Sequence, residues 1–360
     1  MFNLKFLIDK ILKLFVFAVC GFVVFDLFSG GNRVNDFLIA AKTNPAEVIQ
    51  NDDSDHLRTL AFGDMMLGRY VRTLMNKYGM DYVFEKIKPE KTGEWFYENA
   101  DYVFGNFEGP INGKGTSGGT SMVFSFNEDT AGFLKSYGFN ILSIVNNHSL
   151  DQGWSGREKT VKAFNDADLG WCGHPTDEEE GSVYYGEKVA FVCFQDVTSK
   201  LNIENAKALI KEVHENADFV IVSAHWGVEY NHTPNKTQVN YGHAFVDAGA
   251  DFVIGHHPHV VQSFEEYNGK FIFYSLGNFI FDQYWSTETQ EELAIGIDLS
   301  RDGDALKTVV DLFPMKSEKS QSRLLNDDEK NKWIKEFISY GKYDEDTKAE
   351  IENFKIIVGE

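Results

Sequence analysis

Ile254-Gly255-His256-His257-Pro258-His259 decides how this chain is read, because it joins a strand to a cluster of metal-ligating side-chain types. The run Asp251-Phe252-Val253-Ile254 leads into it and reads as a short buried strand. Three of the chain's ten histidines then fall within four positions. Histidines spaced one apart at the C-terminal end of a strand reach the crevice where α/β sheets place their ligands. Neutral imidazole is the commonest side-chain ligand for transition metals. The loop is therefore either part of a metal centre or a polar loop that happens to be rich in histidine. The rest of the chain weighs on this choice by repeating the pattern.

Working outward, 218–224 is a strand ending in His225-Trp226-Gly227-Val228-Glu229-Tyr230. The strand 140–145 ends in Asn146-Asn147-His148-Ser149-Leu150-Asp151, and 102–104 ends in Gly105-Asn106-Phe107-Glu108. The first strand, 57–62, runs into Gly63-Asp64-Met65-Met66-Leu67-Gly68-Arg69. A strand at 189–194 has no such tail. Helical windows at 131–137, 157–166, 203–215 and 236–248 separate the strands, the signature of an α/β sheet. Downstream, 270–274 is hairpinned through Asn268-Gly269, and 294–299 and 306–313 suggest a closing pair of strands. An amphipathic helix is expected at 327–340, and a charged helix on the outside near 348–354. Five strands thus end in Asp, Asn, Glu or His, and one sheet edge gathers all these ends. Oxygen ligands mixed with imidazoles suit Mn, Zn or Fe better than Ca or Mg alone. One bridging carboxylate with several histidines is also how two-metal hydrolytic centres are assembled.

The ordered set Gly63-Asp64, Asn106-Phe107-Glu108, Asn146-Asn147-His148-x-x-Asp151-x-Gly153, His225-Trp226-Gly227-x-Glu229-Tyr230, Gly255-His256-His257-Pro258-His259 and Ser275-Leu276-Gly277-Asn278-Phe279 resembles the CapA family of capsule biosynthesis proteins. That family is named for poly-γ-glutamate synthesis and is distantly related to the calcineurin-like metallophosphatases. The resemblance covers about 57–281. It implies a metallophosphatase-like layered α/β sandwich with the site at the C-terminal ends of the strands, holding one or two divalent ions (Mn, Zn or Fe). Carried over, Asp64, Asn147, His225, His257 and His259 are expected metal ligands, with His256 an additional imidazole. His148 resembles the catalytic histidine that protonates a leaving oxygen or stabilises charge on phosphate. Two departures stand out. The family enzymes' Asp-x-His becomes Asp64-Met65-Met66, and a thioether is no substitute for imidazole on a hard ion. Their Gly-Asp becomes Gly105-Asn106, removing a bridging carboxylate that Glu108, two residues on, is placed to replace.

Other residues carry two readings each. Asp151 either orients the His148 ring or caps the helix beginning near Trp154. Arg69 either clamps a phosphate or carboxylate as part of the catalytic set or forms a salt bridge. Glu229 is a ligand or base, or pairs with a neighbouring cation. Asn278 lines the cleft or satisfies the Gly277 turn. Trp226 and Phe107 read as packing, His174 and His232 as surface residues. The glycine-rich 112–120 lacks P-loop spacing and reads as a mobile loop beside the cleft, with Lys114 facing anions.

With 360 residues the chain can bury its own core, and a net charge of −21 excludes nucleic acid as a general-surface partner. An anionic substrate must be held locally. Cys172 and Cys193 can pair in an oxidising compartment; sequence leaves this open. Lys5, Lys10 and Lys13 precede the apolar run that reaches Phe28. This reads as an uncleaved anchor, a single span in the cell membrane with the body extracytoplasmic. The expected organisation is 1–28 membrane anchor or signal, 29–55 linker, 56–315 metallophosphatase-like domain and 316–360 C-terminal helical extension. Two functions fit: a membrane-anchored, metal-dependent hydrolase of phosphoester or related bonds, or a non-catalytic component of a capsule synthesis and export complex that binds an anionic polymer.

Overall fold

The computed structural model describes residues 56–87, 95–113, 122–175, 182–303 and 305–359. The expected anchor (1–28) and linker (29–55) lie outside the described residues, as do 114–120 of the glycine-rich loop with Lys114. Among the described residues no helix is long and apolar enough to cross a membrane.

Two sheets lie face to face. In the first, β1 (His56–Met65), β2 (Tyr102–Phe107), β3 (Ile141–Ser143) and β4 (Gly170–Cys172) run parallel. On the other side of β1, β12 (Glu291–Asp302) and β13 (Ala305–Glu318) continue the sheet antiparallel, as sequence expects of a closing pair. The short β11 (Asn278–Ile280) adds to the end of β1 in parallel. The second sheet has the order β5 (Val183–Tyr185), β6 (Val189–Gln195), β7 (Phe219–His225), β8 (Phe252–His256), β10 (Lys270–Phe273) and β9 (Phe264–Tyr267). Its strands β6, β7, β8 and β10 are parallel.

The central strands read as unbroken apolar runs because both of their faces are covered. In β6, Val189, Phe191 and Cys193 enter the core between the sheets, while Ala190, Val192 and Phe194 enter a second core. That second core is completed by α4 (Ile203–His214) and α5 (Lys236–Asp247). Helix α4 presents Ala206, Leu209, Ile210 and Val213, one helical stripe, and Asn202 caps it by accepting from Asn205 N at 3.2 Å. The outer face of the first sheet is covered by α1 (Arg69–Tyr78), α2 (Thr130–Ser136) and α3 (Gly153–Asp166). The result is four layers, helix–sheet–sheet–helix, the layered α/β sandwich expected from the sequence.

Between the sheets Phe104 stacks on Phe191 with ring centres 5.3 Å apart. A disulfide, Cys172–Cys193, ties β4 of one sheet to β6 of the other. The C-terminal 316–360 departs from a purely helical extension. It holds α6 (Asp327–Tyr340) and α7 (Glu345–Glu352), but also β14 (Gln321–Leu324) and β15 (Lys355–Val358), which pair with β13. Trp333, Phe337 and Ile351 are buried in the inter-sheet core. The amphipathic helix expected at 327–340 is α6, whereas the two strands, four residues each, are too short for alternation to register.

Two glycines set how closely the strand ends approach. A Cβ on Gly255 would lie 2.0 Å from the Tyr274 carbonyl oxygen, and one on Gly63 would lie 2.0 Å from that of Gly277. Only glycine fits at either position.

Candidate metal centre

The strand ends of both sheets meet at one seam. The β1–β2 register shifts between Ala61 and Asp64, an irregularity that sets Asp64 opposite Asn106 of β2 and Asn278 of β11. From the first sheet come Asp64, Asn106, Glu108, Asn147 and His148; from the second come His225 and His256 to His259. His257 and His259 both have left-handed backbone, φ 97° and 57° around Pro258, as do Arg69 (45°) and Tyr230 (63°) nearby. Such conformations cost on the order of 1–3 kcal/mol each and persist where the surroundings over-determine them. Here the His257 amide donates to Asp64 Oδ2 at 3.1 Å, and Tyr230 N donates to the Pro258 carbonyl at 2.8 Å.

The residues expected from sequence to converge do so. Asp64, Glu108 and His225, all buried, place one potential ligand atom each within 4.8 Å of one another. Glu229, His257 and His259 form a second such set. His259 stands between them, Nδ1 3.3 Å from Asp64 Oδ2 and Nε2 3.7 Å from Glu108 Oε1. Asn147 Oδ1 is 2.8 Å from His225 Nε2, and the fully enclosed His256 has Nδ1 3.4 Å from Asp64 Oδ1. Asn106, which replaces a carboxylate in the pattern, donates to Asp64 Oδ1 at 2.8 Å and lies 3.2 Å from His225 Nδ1. Met66 is buried and turned to Gly68 N.

The electrostatics of the cluster are dominated by burial. Both oxygens of Glu108, both ring nitrogens of His256 and Nδ1 of His257 are buried without a hydrogen-bond partner. Burial alone would raise Asp64, but the close imidazoles of His256 and His259, with His225 beyond them, outweigh it and hold the carboxyl well below its usual range. Burial pushes Glu108 well up, against the pull of His259. Burial also opposes charge on His259, yet Glu108 and Asp64 lift it to about 9. Burial, reinforced by neighbouring imidazoles, drives His225 well down and His257 down to about 3, so both offer lone pairs.

His148 is held from two sides. Asp151 Oδ2 lies 2.7 Å from its Nδ1, and the Phe124 ring stacks on it at 3.8 Å between centres. The same Asp151 oxygen accepts from Phe124 N at 2.6 Å. Asp151 does not cap α3, whose N-cap is Gln152, so its side chain serves the imidazole. Nε2 then faces the centre, 3.9 Å from Glu108 Oε1. Arg69 pairs through two nitrogens with the half-buried Asp282, and its guanidinium lies between Phe124 (4.9 Å) and Phe281 (5.6 Å). Its charge is already matched at the edge of the site.

Sequence reasoning missed Asp282 and Phe124, because an aromatic beyond a glycine-rich loop carries no periodic signal. Asn278 was left with two readings; its Oδ1 lies 3.0 Å from His259 Nδ1, with Gln283 Oε1 and the Thr289 carbonyl accepting from its amide. Trp226 is packing, its Nε1 donating to the Tyr274 carbonyl.

Residues 58–283 match the family described as bacterial capsule synthesis protein PGA_cap. The chain is similar to the capsule biosynthesis protein CapA of Bacillus anthracis, 36% identical over 306 residues, covering 76% of this chain and 72% of that protein. It is likewise similar to the PGA biosynthesis protein CapA of Bacillus subtilis, 33% identical over 288 residues and covering 74% of each. A probable polyglutamine synthesis accessory protein of Mycobacterium tuberculosis is 24% identical over 285 residues, covering 63% of this chain and 75% of that protein.

Proposed function

Since the chain belongs to the CapA family of capsule poly-γ-glutamate biosynthesis proteins, we propose that its strand-end centre hydrolyses a phosphoester or related bond with the help of a divalent cation. One observation carries the reading: buried, unpartnered ligand atoms of Glu108 and His257 converge with Asp64, His225 and His259. Leaving such groups unmade costs on the order of 1–3 kcal/mol apiece, and a divalent ion satisfies several at once. Asp64, Glu108, His225, His257 and His259 would hold it, with Asn147 at the rim. Mn, Zn or Fe suits this mixed oxygen and imidazole set. Such an ion would supply Lewis-acid activation of water and charge neutralisation of an anionic substrate.

The side chains do the rest. Asp151 holds the proton on His148 Nδ1, which leaves Nε2 to face the centre and donate to a leaving oxygen. The Phe124 ring excludes water from one face of that imidazole. The net charge of −21 repels polyanions at long range, so capture of an anionic chain depends on the cation. An N-terminal membrane anchor with the body outside the cytoplasm fits both the lysine-flanked apolar run and the Cys172–Cys193 bridge, since disulfides persist in oxidising compartments.

The test is metal analysis of the purified full-length protein, followed by a panel of phosphoesters assayed with and without His148→Ala. The expected result is bound metal in both proteins and a loss of turnover of about 10²–10⁴-fold in the variant. Protein that binds no metal, or turnover indifferent to His148, overturns the reading. A second reading, a non-catalytic component that binds the capsule polymer for synthesis or export, is favoured by Met66 and Asn106 standing where an imidazole and a carboxylate would be. It expects metal or polymer binding with no turnover.

A further inference from the structure

We infer that a cavity at the edge of the sandwich opposite the histidine cluster binds a neutral oligosaccharide. Strands β1 to β4 are parallel, so their N-terminal ends gather away from the cluster. There, residues of both sheets enclose a cavity of about 990 Å³, near the upper end of what holds a small ligand. The strand-end centre and its proposed chemistry use none of the residues that line it.

The walls of this cavity are fixed. Tyr102 Oη accepts from Glu187 N at 3.1 Å, and a Cβ on Gly186 would lie 2.1 Å from that oxygen. A Cβ on Gly170 would come within 2.6 Å of the Tyr184 ring. Glycine at both positions lets the two tyrosines close in. Asn140 braces the strand starts, its Oδ1 accepting from Val103 N and its Nδ2 donating to the Asp101 carbonyl, each at 2.8 Å. Trp171 Nε1 donates to Asn165 Oδ1 at 3.1 Å, which sets the face of the indole.

The lining selects the ligand. Four aromatic residues, Tyr102, Trp171, Tyr184 and Tyr185, border the cavity, the last of them more than half exposed. Aromatic faces suit the apolar faces of sugar rings. Among the described residues nothing hydrogen-bonds the Tyr184 hydroxyl, the Glu187 carboxylate or the Asn165 amide nitrogen. Together they offer acceptors, a donor and a hydroxyl that does both, the complement of neighbouring sugar hydroxyls. Anions are disfavoured, because the lining holds three acids against two lysines and both lysines are engaged. Lys135 pairs with Asp168 at 3.5 Å, and Lys188 donates to the His56 carbonyl at 3.5 Å. A polyglutamate chain therefore finds no spare cation here. Polycations fare little better, since Asp168 is paired and Asp101 accepts from Arg58 N at 2.7 Å, which leaves Glu187 to answer them alone.

The test is calorimetric titration of the full-length protein in chelator, with chitotetraose and cellotetraose as probes and spermine and tetraglutamate as charged controls. At least one tetrasaccharide is expected to bind, and neither control. Glu187→Gln is expected to weaken that binding by about tenfold or more, and Tyr184→Phe, which keeps the ring, to weaken it less. Both variants are expected to melt as wild type does and to retain the same metal when chelator is omitted. No binding of either tetrasaccharide overturns the inference. So does binding that neither substitution weakens, or a control that binds in place of the sugars. Because chelator keeps the strand-end centre out of the titration, each of these outcomes leaves the hydrolase reading standing, and failure of that reading leaves this one standing.

Discussion

Strand β8 carries a buried acid near one end and faces another across the seam at its other end, and the two are treated in opposite ways. Asp251, just before the strand, is 1% exposed and fully answered. Its Oδ1 accepts from Lys270 at 2.8 Å and Arg301 at 2.7 Å, its Oδ2 from Val220 N at 2.9 Å. Glu108, beyond the C-terminal end, is 0% exposed, and neither oxygen has a hydrogen-bond partner. Burying a carboxylate is tolerable when fixed cations surround it and costly when they do not. The first arrangement is architecture. The second leaves both carboxylate oxygens without a donor, the feature on which the proposed cation site rests.

The sharpest way to break this contrast is to remove the satisfied acid. Asp251→Ala leaves Lys270 and Arg301 without their common partner and orphans the Val220 amide. A loss of about 3 kcal/mol in unfolding free energy is expected, measured by urea denaturation, with metal stoichiometry unchanged. If metal binding falls along with stability, the two ends of β8 are not independent.

Removing the unsatisfied acid should do the reverse. Glu108→Gln keeps the shape and gives up a buried carboxylate that accepts no hydrogen bond. The metal-free variant is expected to be as stable as wild type or more so, by about 1 kcal/mol. Its metal affinity is expected to fall at least about tenfold, some 1.4 kcal/mol. Calorimetric titration with manganese, beside thermal melts in chelator, reads both. Destabilisation without loss of affinity would make Glu108 a structural residue like Asp251.

The same contrast explains what could be read from the sequence. Strand ends were legible because apolar runs stop abruptly at Asp64, Asn146 and His225, and a period-2 strand has no other use for polar residues there. Alternating strands and helices implied an α/β sheet, and the layered sandwich was an expectation of the family resemblance. Satisfaction was not legible. That Asp251 meets Arg301, 50 residues on, and that Glu108 accepts no hydrogen bond are facts of tertiary packing. Helix α1 was missed because its apolar stripe (Val71, Leu74, Met75) is short and shares its span with Arg69, Arg72 and Lys77. The edge strands β4 and β5, three residues each, are too brief for alternation to register.

A third buried acid lies between the two extremes. Glu292 on β12 is enclosed, hydrogen-bonded through Oε1 to the Ser322 hydroxyl at 3.1 Å, and its Oε2 has no partner. Hydroxyls answer it but no cation does, and burial, only partly offset by Ser322 and Ser317, raises its pKa well above the usual carboxylate range. The sign follows from proton counting. The folded state keeps this proton at pH values where the unfolded chain has released it, so the contribution to stability is fully present below the unfolded value, near 4.3. It is lost as pH rises from there through the folded pKa, with a limiting slope of about 1.4 kcal/mol per pH unit. Glu292→Gln keeps the acceptor for Ser322 and has nothing to release. The variant and wild type are expected to be nearly equal in stability at about pH 4.5, with the variant ahead by a widening margin toward about pH 7, on the order of 1 kcal/mol or more. Urea denaturation at a series of pH values measures that margin. A constant offset would mean that Glu292 ionises in the folded protein as readily as in the unfolded chain, and that two serine hydroxyls can do for a buried carboxylate what Lys270 and Arg301 do for Asp251.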